Sequence, residues 1–187
     1  MLSRDSEVKD FPILESLIDG EHILVKEDLE GQNVVDGSVV LGMKAGPAIC
    51  VDNACHEMAH LIEIDEARIT SVNWGFKYGD RVEIPGLRAY NEFRSSDHID
   101  REIRVWAIQW HIQQYIEKPV TFDKLGRVGY WLPDIFRLKK RGLKSTLDRG
   151  TVTSWFAEAI ERESESHTIE GILEELERRR SIIASRK

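Results

Sequence analysis

Cysteine is scarce in this chain: Cys50 and Cys55 are the only two in 187 residues. Two cannot build the disulfide framework of a small secreted domain, and their spacing is not the C-x-x-C of a redox or zinc pair. Both are expected to pack as small apolar residues on one helix. Long apolar runs are missing too. None approaches the roughly 20 residues that cross a bilayer, which argues against a membrane span. Met1-Leu2-Ser3-Arg4-Asp5-Ser6-Glu7 lacks the apolar core of a signal peptide. These absences together give the expectation of a reduced, cytoplasmic protein. Positive charge is in deficit, with 26 Lys and Arg against 33 Asp and Glu and a net charge of −7. That balance argues against a general nucleic-acid binder. The exception is a basic run at Arg137, Lys139, Lys140, Arg141 and Lys144. It reads first as a solvated helix face, and otherwise as a docking patch for an acidic protein or RNA.

What the chain does have is the motif His56-Glu57-Met58-Ala59-His60, an H-E-x-x-H. Side chains four apart on a helix lie one turn above each other, so His56 and His60 can aim two imidazole nitrogens at one metal ion. Glu57 lies about a third of a turn away, close enough to reach a water on that ion. At about 100° per residue, Val51, Cys55, Met58, Ala59 and Ile62 share one side of the helix. Asn53, His56, Glu57 and His60 share the other. Satisfied core histidines are the bland alternative. The apolar flanks, Ala45 to Val51 and Leu61-Ile62, instead suit a buried helix with one polar, metal-competent face.

Around the motif the pattern reads as one α+β domain over residues 1–187, with a metal-site core at 45–117 and C-terminal helices at 131–187. A small helix is expected over Phe11 to Ile18, and strands at 22–25 and 38–41 beside the turn signals Glu30-Gly31 and Asp36-Gly37. The motif helix is expected from about Ala48 to Glu63. A strand ending in a turn follows over Val72 to Asp80. A long helix starts at the capping residues near Ser95-Ser96-Asp97 and runs to about Glu117, closed by Pro119. Its buried stripe is Ile99, Ile103, Trp106 and Trp110. Further helices are expected over Trp131–Leu143, Val152–Ser164 and Thr168–Ala184.

A catalytic metal normally has a third protein ligand. Glu102 is the best candidate, lying between Ile99 and Trp106 at the edge of the buried stripe, where a carboxylate must be paired, protonated or metal-bound. A salt bridge to Arg101, Arg104 or Arg68 is the alternative. Glu92 is a rival, because Asn91 to Asp97 loosely resembles the third-ligand segment of thermolysin-like peptidases with one residue too many. His98, one turn before Glu102, could join the site or a second ion. Asp97 and Asp100 read as helix N-terminal charges. Arg68 could orient a site carboxylate. Trp74, Phe76 and Tyr78 could line a substrate groove, although aromatics at strand spacing are more often core.

These residues also carry a resemblance. Cys55 to Tyr78, including Ala67-Arg68 and Val72-Asn73-Trp74-Gly75-Phe76-Lys77-Tyr78, resembles the elongation factor P hydroxylases at ungapped spacing. Glu102 to Ala107, within Arg101-Glu102-Ile103-Arg104-Val105-Trp106-Ala107, resembles that family's glutamate-bearing helix. The first fifty residues, the segment from Gly79 to Asp100 and the C-terminal helices do not share it. The resemblance favours Glu102 over Glu92. It implies a single zincin-like domain with an HExxH helix, a few strands before and after it and a mostly helical C-terminal half. It also implies iron(II) as cofactor, and a protein substrate of the elongation factor P type that presents a lysine-type side chain.

His56, His60 and Glu102 fit two chemistries. Two histidines and a carboxylate on iron(II) form the facial triad of oxygenases, with Glu57 in an auxiliary role. The same residues on zinc hold a water whose pKa falls to about 7, with Glu57 as the base of a metallopeptidase. The motif taken alone favours the peptidase, and the resemblance favours the hydroxylase. A protein that binds metal without catalysis is the third reading.

Overall fold

The computed structural model describes residues 23–26, 32–35, 38–42, 47–68, 96–129 and 148–185, with side chains over 51–67, 100–129 and 148–185. Five α-helices dominate these residues: α1 (Pro47–Glu63), α2 (Ser96–Tyr115), α3 (Phe122–Gly129), α4 (Arg149–Ser164) and α5 (Ile169–Ser185). Short strands β1 (Ile23–Lys26), β2 (Gln32–Val35) and β3 (Ser38–Gly42) pair in the order β1-β3-β2. β1 runs parallel to β3, with Ile23 opposite Val39, and β2 antiparallel to it, with Val34 opposite Val39.

The α+β, zincin-like expectation is therefore corrected. Every residue whose side chain the structure describes lies in a helix, a helical turn or a connection between helices, and over these residues the fold is helical. The physical reason is the helical spacing of the buried positions. Cys55, Met58 and Ala59 on α1, Ile108 and Ile112 on α2, and Ile172, Leu176 and Ile183 on α5 are buried at intervals of three, four or seven. The helix expected at 11–18, the strand at 72–80, the helix at 131–143 and the basic run at 137–144 lie outside the described residues. No helix among the described residues is long and apolar enough to cross a membrane.

The chain divides into two compact units. The first comprises Met1–Phe76, His111–Pro119 and Thr168–Lys187. Within it α1 opens on Pro47, whose missing N–H costs nothing at a helix start. It buries Ala54, Cys55, Met58, Ala59 and Leu61, and packs against β3 and α5. The end of α2 is also here. Lys118 N–H donates to the Gln113 carbonyl at 2.9 Å and Glu117 N–H to that of Gln114 at 3.2 Å, with Glu117 at φ 58°. That is a Schellman cap with glutamate in the left-handed position, followed by Pro119, which cannot extend the helix.

The second unit comprises Lys77–Trp110 and Val120–His167. Its core joins Ile103, Trp106 and Ala107 to Val120, Leu125, Val152, Phe156, Ala159 and Ile160. Trp106 meets Phe156 edge-on at 5.7 Å, and Trp110 stacks on Phe122 at 4.8 Å. α3 was not expected from the sequence. Thr121 caps it by accepting from Lys124 N–H at 3.2 Å. Gly126 allows its backbone to approach α4 closely, since a Cβ there would sit 2.5 Å from the Thr153 carbonyl oxygen. α4 starts on Asp148, which accepts from Thr151 N–H at 2.8 Å as an N-cap.

Candidate metal centre

His56 and His60 stand one turn apart on α1, both half-buried. Their rings meet edge to face with centroids 4.6 Å apart, and the two Nε2 atoms are 3.1 Å apart. Two nitrogens bound at about 2.1 Å to one ion lie roughly 3.0 Å apart in octahedral and 3.4 Å in tetrahedral geometry. The observed separation suits a chelate of either kind and does not choose the metal. In the metal-free protein one Nε2–H can donate to the other nitrogen, according to tautomer.

Glu57 and Glu102 are both buried, at 6% and 7% exposure, and neither lacks polar or electrostatic partners. A ligand nitrogen of His56, one of His60 and a carboxylate oxygen of Glu102 all lie within 4.8 Å of one another. These three residues form a group that could hold a metal ion. The donor set of two neutral imidazoles and one carboxylate suits iron(II) and zinc alike.

The other candidates are placed as follows. Arg68 ends the 3-10 turn Glu66–Arg68, and His98 lies in the first turn of α2, both as described backbone only. Glu92, Trp74, Phe76 and Tyr78 lie outside the described residues. Cys55 is fully buried, and that burial, with Asp52 nearby, pushes its thiol far above the ordinary range. It packs as an apolar residue and has no nucleophilic thiolate.

Two groups near the motif helix were not singled out from the sequence. Gln113, 1% exposed, donates from Nε2 to Asp52 Oδ1 at 2.7 Å, one turn before His56. Arg179, also buried, donates from Nη1 to the Ile64 carbonyl at 2.6 Å. The available signal was a charged residue at apolar spacing: Arg179 falls in the series Ile172, Leu176, Arg179, Ile183. No family model, curated protein or solved structure matches the chain.

Proposed function

We propose that this chain is an iron(II)-dependent hydroxylase acting on a lysine-type side chain of a protein, with elongation factor P as the first substrate to try. The observation that carries the reading is the convergence of the His56 and His60 nitrogens at 3.1 Å, with the buried Glu102 carboxylate in the same ligand group. The resemblance over residues 55–78 and 102–107 supports hydroxylation over hydrolysis. Bound there, iron(II) would supply dioxygen chemistry at the coordination positions the three residues leave open. His56 and His60 bind through neutral imidazole, and Glu102 supplies one negative charge. Glu57, buried at the next position to His56, would have an auxiliary role and would not be an obligatory base.

The zinc peptidase reading is kept because the motif alone favours it, and it assigns Glu57 the essential role of general base. The two separate in one experiment. Iron-reconstituted protein, given a two-electron reductant and elongation factor P carrying its modified lysine, is expected to consume dioxygen. The substrate should gain the mass of one oxygen atom, the other leaving as water. Glu57→Gln should retain part of this activity. Dioxygen-independent cleavage of peptides by the zinc form, abolished in Glu57→Gln, would overturn the hydroxylase reading.

A further inference from the structure

Along α5, Ile172, Leu176 and Ile183 form a buried stripe, and Arg179 occupies one of its positions at 8% exposure. A guanidinium in such a stripe is tolerated only when paired and hydrogen-bonded. Arg179 Nε donates to Glu175 Oε1 at 2.6 Å, and Nη1 donates to the Ile64 carbonyl oxygen at 2.6 Å. Ile64 immediately follows α1, and its own N–H donates to the His60 carbonyl at 3.0 Å. Two hydrogen bonds therefore connect a buried cation on α5 to the backbone of His60. Arg178 holds the next turn. Its Nη1 donates to Glu66, and its Nε and Nη2 donate to Glu175 at 2.7 and 2.6 Å. Glu175 thus aligns both guanidinium planes.

Carbonyls at a helix C-terminus have no partner within the helix, and a cation beside them is favoured by the helix dipole. His60 lies in this last turn of α1, where helices fray first. Ligands of a metal site must be held to within about half an ångström to share an ion. We propose that Arg179 is a positioning residue for His60. By holding the Ile64 carbonyl, it keeps the final turn of α1 closed, so that the His60 ring stays in register with His56. The inference rests on the metal reading proposed above.

The test uses the full chain with cobalt(II) as the probe, followed by calorimetric titration and visible absorption. Wild-type protein is expected to bind one cobalt(II), and His60→Ala to lose it. Arg179→Met should bind about tenfold more weakly or worse, with an altered cobalt spectrum and a helical far-ultraviolet signal retained. Arg179→Lys should fall between, since an ammonium lacks the planar fork that holds two acceptors at once. Wild-type affinity and spectrum in folded Arg179→Met would overturn the positioning role while leaving the metal reading intact. If Arg179→Met does not fold, Arg179→Lys carries the test: weaker binding supports the role and wild-type binding overturns it. Failure of wild-type protein to bind cobalt(II), or undiminished binding by His60→Ala, would sink the metal reading and this inference with it.

Discussion

Glu175 sits among the donors of two arginines, and the hydrogen bond from Arg178, then that from Arg179, holds its carboxyl at about 2, against an ordinary 4.5. A carboxyl depressed in the folded state stabilises it at pH above the unfolded value and loses that contribution as pH falls through the folded value. Stability should therefore decline between about pH 4.5 and pH 2 as Glu175 is protonated and both guanidiniums lose their common acceptor. A series of melting curves across that range should show a shallower decline in Glu175→Gln than in wild type. With the side chain 29% exposed, part of the effect is screened, and added salt should reduce it. An identical acid profile in the two proteins would contradict this assignment. The residue scale is also where the sequence was most informative about the site. Helical spacing and the cost of an unpaired buried carboxylate were enough to nominate His56, His60 and Glu102. They did not lead to Arg179: its apolar spacing marks it as buried, but the Ile64 carbonyl that it reaches from α5 has no residue signature.

Helix boundaries were legible to within a few residues. The motif helix, read from about Ala48 to Glu63, runs Pro47–Glu63, whereas the helix read as Val152–Ser164 begins three residues earlier, at Arg149, because the Asp148 cap was not used in the reading. The end of α2 was read two residues late, because a Schellman cap is a backbone arrangement and here carries no glycine to announce it. That cap makes its own prediction. A non-glycine residue in the left-handed region costs about 1–2 kcal/mol, part of which glycine returns as unfolded-state entropy. Glu117→Gly should therefore stabilise the protein by roughly 0.5–1 kcal/mol in denaturant unfolding, and a decrease in stability would contradict the capping role. α3 escaped notice for a related reason. It has only eight residues, and its Gly126 and Gly129, which helices ordinarily disfavour, serve close packing against Thr153 and Phe156.

For the whole molecule, the expected α+β class failed because short apolar runs such as Ile23–Val25 and Val39–Leu41 were given architectural weight. Among the residues whose side chains are described, the buried positions are instead helical in spacing. A periodic pattern says which face of an element is buried, but not which elements make up the bulk of a fold. If the proposed ion binds only the folded chain, simple linkage raises its melting temperature. Chelation should lower the wild-type melting temperature by several degrees, and His60→Ala should melt alike with and without chelator. Equal wild-type curves in both conditions would mean that the fold gains nothing from a metal. The central claim is that one divalent ion is shared by these three side chains, and a crystal structure of the iron(II)-loaded protein grown without dioxygen tests it most directly. The account predicts one ion with His56 Nε2, His60 Nε2 and a Glu102 oxygen each roughly 2.0–2.3 Å away. An ion bound through Glu92 with Glu102 in a salt bridge, or no ion at the histidines, would contradict it.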